Sequence, residues 1–280
     1  MLSLMLVLLM QVQEPTLDDR IAAFAKGDAA AREAVLKHGV GAILALHKAR
    51  DKAPEKIDAL VLEIKKAAAY PKNTKAPDVL DVKCKLQVSN QKPGDVIAYL
   101  QELTGAVLIC DRFDPADLKV RLVDIEMADV HMRQALDQLC RVTGLDYGFF
   151  HNAIVIGKPE RLWPAGKNAP AFGPPAFERQ HRTPDDDKAL EQLRKIKINL
   201  DFQNATVKSM SEYLKEFTGV TFEVDDSESK PIPIFRVRDL SVIDAVALAT
   251  QIRDLDFIIK DGNVVIATRA EIEKKIAGKK

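Results

Sequence analysis

The side chains that could carry chemistry are scattered. The five histidines, His38, His47, His131, His151 and His181, fall in different segments. No two have the His-x-x-x-His spacing that sets a pair of imidazoles on one helical face to hold a metal. His131 opens a helix and reads as a surface or capping residue, and His151 reads as a turn residue. Cys84, Cys110 and Cys140 match no zinc spacing and lie in apolar or strand-like settings. They read as small buried hydrophobes, with one bridge, between Cys110 and Cys140, as the alternative in an oxidising compartment. Asp185-Asp186-Asp187 and Asp225-Asp226 lack the spaced Asp/Asn and Gly pattern of a calcium loop, so they read as solvated loop charge. The chain has no Gly-x-Ser-x-Gly, no phosphate-binding loop and no dinucleotide fingerprint. The sequence therefore predicts no catalytic residue, no metal site, no cofactor and no enzyme. A polar pocket with converging titratable groups would be the feature to set against that expectation.

The bulk composition narrows the class. The chain has 280 residues, 47% of them hydrophobic, and equal numbers of basic and acidic residues, 41 each. That is room for two or three folded units, and a zero net charge gives no electrostatic footprint for nucleic acid. Residues 1–13 begin with the apolar run MLSLMLVLLM, too short for a membrane span, which needs roughly 20 residues. The run suits the apolar part of a signal peptide, with a buried N-terminal helix as the alternative. Residues 16–75 read as helices. Thr16 and Asp19 form a capping pattern, helices are expected over 29–37 and 42–49, and Pro54 opens a fourth. The stretch AREAVLKHGVGAILALHKAR resembles a HEAT-type pair of antiparallel helices.

Two stretches of the remaining chain are versions of one pattern. Asn90, Tyr99-Leu100, Glu102, Thr104-Gly105 and Asp111 recur as Asn204, Tyr213-Leu214, Glu216, Thr218-Gly219 and Asp225. Asp129, Ala135, Leu145-Asp146 and Val155-Ile156 recur as Asp239, Ala245, Leu255-Asp256 and Val265-Ile266. A repeat of this kind sets the architecture. Each copy, 83–158 and 196–270, reads strand, helix, strand, strand, helix, hairpin, an α+β module. Within the first, strands are expected at 83–89, 107–110 and 120–125, and Val96, Leu100 and Leu103 point inward from its first helix. Within the second, Val207, Met210, Leu214 and Phe217 form one apolar helical stripe. Asp261-Gly262 is a strong hairpin turn, and Pro231 and Pro233 confine that region to a loop or a sheet edge. Residues 159–192, rich in Pro and carrying the only tryptophan, Trp163, read as an extended linker. Residues 271–280 read as a basic tail, with a short helix starting at Arg269.

The order of elements resembles the short N-terminal domain shared by secretins and TonB-dependent receptors. The wording that carries it is LDFQNATVKSMSEYLKEFTGVTFEVD and AVALATQIRDLDFIIKDGNVVIAT, with Leu145-Asp146-Tyr147 and Leu255-Asp256-Phe257 at the closing hairpin. The first copy departs from it at Lys92-Pro93-Gly94, where the helix should begin smoothly. Secretins and these receptors continue into a membrane barrel, and this sequence has no run of long amphipathic strands. The resemblance implies a non-enzymatic interaction module of the periplasm or cell envelope rather than a channel. Its partners would be proteins, with self-association left open, no nucleic acid and no stable membrane span. The rival reading is a cytosolic scaffold or regulator built on the same modules. Candidate interaction residues are Trp163, exposed in a linker or docked on a module, and Thr221 and Glu223, on the polar face of a strand that a partner peptide could extend.

Overall fold

A computed structural model describes residues 14–88, 91–112, 125–164, 171–225 and 230–278. The chain divides into two compact units, 1–64 and 65–280. In the first, α1 (Leu17–Ala25) starts at a Thr16–Asp19 capping box, and the Asp28 carboxylate takes the N–H groups of Ala30 and Ala31 to start α2 (Ala29–Lys37). A 3-10 turn over Gly39–Ala42 leads into α3 (Ile43–Lys48), and α4 (Pro54–Ala67) runs across the unit boundary. Ile21, Val35, Ile43, Leu46, Ile57 and Leu60 are buried, so the apolar stripes read from the sequence form this unit's core.

The second unit holds the two copies. The first is β1 (Lys83–Val88), α5 (Pro93–Thr104), β2 (Leu108–Cys110), β3 (Ile125–His131), α6 (Met132–Thr143), β4 (Asp146–Phe150) and β5 (Ala153–Gly157). After α7 (Pro159–Leu162) and α8 (Pro184–Lys195), the second is β6 (Lys197–Ala205), α9 (Val207–Thr218), β7 (Phe222–Val224), β8 (Ile232–Ser241), α10 (Val242–Ile252), β9 (Leu255–Lys260) and β10 (Asn263–Thr268). The helix α11 (Arg269–Ala277) follows. Each copy has a two-stranded antiparallel ribbon, β1–β3 or β6–β8, and a three-stranded sheet, β2-β5-β4 or β7-β10-β9. The fold is α+β, with the expected order of elements. Of the strand read over 120–125, only Ile125 falls among the described residues, and Asn90 lies outside them.

The matched residues hold matched backbone. Thr104 and Thr218 donate their hydroxyls to Leu100 O (2.6 Å) and Leu214 O (2.7 Å), and accept the N–H of Ala106 and Val220 (3.2 Å each). Gly105 and Gly219 then turn the chain at φ 68° and 71°, the left-handed cap that a side chain would strain. Asp129 and Asp239 have φ 56° and 49°, and each sits where the register of β1–β3 or β6–β8 shifts by one residue. They are the extra residues of matching β-bulges, and Asp tolerates the left-handed region better than most residues. Asp239 N–H donates to Asn199 Oδ1 at 2.8 Å.

Residues 159–192 do not form an extended linker. Trp163, Phe172, Ala176 and Phe177 are buried, and Pro184–Lys195 is a helix with a Thr183–Asp186 capping box. Proline-rich composition hid this, because aromatic residues between the prolines supply the apolar surface to pack. Phe172 stacks on Phe150 with centroids 5.2 Å apart, and Phe177 lies 5.1 Å from Phe257. The matched aspartates fasten the segment. Asp146 accepts Tyr147 N–H (2.9 Å), the Trp163 indole N–H (2.6 Å) and Lys65 Nζ. Asp256 accepts Phe257 N–H (2.8 Å) and Ala176 N–H (2.9 Å). The tail read at 271–280 is helical through Ala277.

Gly148 reports on this packing. A Cβ there would meet Phe150 Cε2 at 2.5 Å and the Trp163 ring at 2.7 Å. Gly148→Ala should lower stability by about 1–3 kcal/mol through overpacking and shift the Trp163 fluorescence maximum. Asp146→Ala should cost roughly 3–5 kcal/mol, because it leaves the Lys65 ammonium buried without its counter-charge. Urea titrations followed by fluorescence check both, using Asp146→Asn to separate loss of charge from loss of shape.

Candidate functional site

The candidate interaction residues lie in different places. Trp163 is 2% exposed, with its ring against Phe150 and its N–H on Asp146, so it offers no face to a partner. Of the two placements considered for it, docking within the chain is the one found. Thr221 is half-buried just before β7, and Glu223 is exposed on β7, the outer strand of its sheet. The structure therefore does not bring the three together.

An apolar surface that sequence reasoning placed inside is outside. Leu103 and Phe217, expected to face inward, are 44% and 56% exposed. They lie in the last turn of α5 and α9, three residues beyond the buried Leu100 and Leu214. Tyr99 and Tyr213, four residues earlier on each helix, are also exposed, at 41% and 44%. Tyr213 stacks parallel to Phe217 with centroids 6.5 Å apart and meets the half-buried Phe202 of β6 edge-on at 5.6 Å. Tyr99 donates its hydroxyl to Lys85 O of β1 at 2.7 Å. Each module thus carries an aromatic–apolar pair at the same two helical positions. The signal was present as the Tyr99/Tyr213 match, which a core position does not explain.

The modules meet through α10. Unlike α6, α10 is buried on nearly every side, as VIDAVALATQI, apolar all round, foretells. At its C-terminal end Arg161 Nη2 donates to Gln251 O (2.9 Å) and Ile252 O (3.1 Å), and Arg112 Nε donates to Ile252 O (2.5 Å). Arg161 also binds Asp111 (2.5 Å) and Asp254 (2.6 Å), and Arg112 pairs with Asp254. Burial pushes the Asp111 carboxyl up despite Arg161 beside it. Burial also acts upward on Asp254, but the bonds from Arg161 and Arg112 outweigh it and its carboxyl is lowered.

At the N-terminal end of α10 lies a cleft of about 370 Å³. The β4–β5 turn inserts His151, 2% exposed, with its Nε2 3.1 Å from Gln251 Oε1 and its Nδ1 4.0 Å from Asp244 Oδ1. The Tyr70 ring abuts the imidazole edge-on at 5.1 Å. Asn152 and Ser241 both donate to Asp244 Oδ2, at 2.9 and 2.6 Å. Tyr70 donates its hydroxyl to Glu178, and burial together with that bond pushes the phenol up. Arg194 and Lys197 also line the cleft. Among the described residues no cluster of His, Cys, Asp or Glu is placed to hold a metal ion. Cys84, Cys110 and Cys140 are buried and unbridged, and burial raises the thiols of Cys84 and Cys140. No helix of the described residues is long and apolar enough to cross a membrane. No family model matches the chain, and no curated protein or solved structure matches it.

Desolvation lowers the His151 pKa, against the pull of Asp244, Gln251 and Glu178. The folded state therefore holds a neutral ring where the unfolded chain, with an ordinary value near 6.5, takes up a proton. The ring's contribution is complete above that value and is lost as pH falls from it toward the depressed folded value. Stability should drop between pH 7 and 5, and His151→Gln should flatten that part of the curve. Urea midpoints measured across the range for both proteins check this.

Proposed function

We propose that the chain is a non-enzymatic protein-binding component of the cell envelope, built on two modules like the secretin and TonB-receptor N-terminal domain. In this reading it serves a secretin-type secretion system or a TonB-linked signalling system, and residues 1–13 direct its export. The observation that supports the reading is the repeated exposed pair, Tyr99/Leu103 and Tyr213/Phe217, beside strands with an unpaired side. Among the described residues β6 pairs with β8 alone, and β7 is an outer strand of its sheet. An extended partner segment laid along β6 gains backbone hydrogen bonds, and its alternate side chains cover Phe202, Tyr213 and Phe217. Fully burying such a side chain contributes roughly 1.5–3 kcal/mol, and these are already about half covered, so the backbone hydrogen bonds of the added strand must supply much of the affinity. Having two modules in one chain raises avidity when one partner spans both.

Affinity capture from envelope extract, with quantitative mass spectrometry, tests the reading. A specific partner should be recovered by the full chain and reduced at least tenfold by Tyr213→Ser with Phe217→Ser, a variant whose cooperative thermal unfolding shows that the fold is kept. Val224→Pro, which removes an N–H on the side of β7 away from β10, reports separately on that edge. Equal recovery by all three proteins, or no specific envelope protein, rejects the proposal.

A further inference from the structure

The cleft at the start of α10 is separate from the apolar helix faces, and its charges are unevenly committed. Its acids are engaged. Glu178 takes the Tyr70 hydroxyl, and Asp244 takes Ser241 Oγ and Asn152 Nδ2. Its bases are not. Lys197 has no ion-pair partner among the described residues, and Arg194 has one 3.4 Å contact, to the exposed Glu191 on its own helix. Arg194 and Lys197 are thus cations that no acid of the cleft pairs with among the described residues, although with Glu178 and Asp244 the lining is charge-balanced. The remaining lining mixes the polar Asn73 and His151 with an apolar part made by Pro71, Pro175, Phe177, Ile243 and Ala247. A volume of about 370 Å³ lies in the range of sites that hold small ligands.

We infer that this cleft binds a carboxylate carried on a small apolar group. The carboxylate lies against Arg194, whose planar guanidinium suits it, and against Lys197. The apolar group lies against Phe177 and Ile243. Two sources offer that chemistry, a free branched acid and the C-terminus of a peptide ending in an aliphatic residue. Hydrogen bonds from Tyr70, Ser241 and Asn152 leave Glu178 and Asp244 charged, so the contacts with Arg194 and Lys197 must outweigh their repulsion. This inference does not depend on the edge-strand reading, since it uses none of the same residues.

Calorimetric titration of the full chain tests it with four probes: N-acetyl-alanyl-leucine, its C-terminal amide, isovalerate and inorganic phosphate. The free-acid dipeptide should bind, with the amide at least tenfold weaker. Arg194→Gln with Lys197→Gln should weaken the acid at least tenfold and leave the melting temperature unchanged, because both side chains are exposed. Isovalerate binding as well as the dipeptide supports the inference with a free acid as source, and a clear preference for the dipeptide supports it with a peptide terminus. The inference is overturned if the dipeptide acid does not bind, if its amide binds equally, if phosphate binds as tightly as either acid, or if the double variant binds unchanged.

Discussion

The last turn of α10 leaves backbone carbonyls with no partner inside the helix, and the helix is buried. Something must donate to them, because an unpaired carbonyl away from water costs as much as a lost hydrogen bond. The donors come from the other module and from the segment behind it. Arg161 and Arg112 supply the N–H groups and place positive charge at the negative end of the helix dipole. Asp254 and Asp111 then neutralise the two guanidinium groups. At the other end of α10, the first hairpin plants Asn152 on Asp244. The relation between the modules follows from satisfying one buried helix at both ends.

A second constraint ties the connecting segment down. In each module the aspartate that opens the last hairpin is buried, and a buried carboxylate needs donors. Each finds one in its own strand and one in residues 159–192. The Leu-Asp-Tyr and Leu-Asp-Phe identities are thus not only fold signals. They are the reason a proline-rich stretch becomes a packed layer. Lys65 adds a counter-charge for Asp146, and its ammonium also lies 4.0 Å from the Tyr147 ring centroid.

What was legible in the sequence was whatever depends on local pattern. Thr-Gly pairs, the Asp261-Gly262 turn with φ 53° and 75°, and the Ser241–Asp244 cap all act within a few residues. Helical periodicity and the repeat gave the order of the elements in the same way. What depends on distant partners was not legible. Whether Leu103 and Phe217 are covered depends on what packs over the end of each helix, and whether Trp163 is buried depends on the placement of Asp146. In sequence His151 reads as a turn residue, since nothing near it shows that Gln251 and Asp244 enclose it. The cleft was invisible for the same reason: Tyr70, Glu178, Lys197 and Asp244 come from four separate stretches.

The hairpin tips show how duplication and divergence share the work. The first tip, His151-Asn152, meets the aspartate in the first turn of α10, and the second, Asp261-Gly262, meets the aspartate in the first turn of α8 through Gly262 N–H to Asp186 Oδ1 at 3.1 Å. The mode of docking is common to both, since the N-terminal turn of a capped helix presents a fixed carboxylate. The tips themselves differ. A glycine closes the second contact with backbone alone, whereas an imidazole and an amide at the first leave a polar-lined cleft beside them. Divergence at two turn residues is enough to convert a closed structural contact into an open one. The differences between the copies at these two turns thus decide which docking contact is closed and which leaves a cleft beside it.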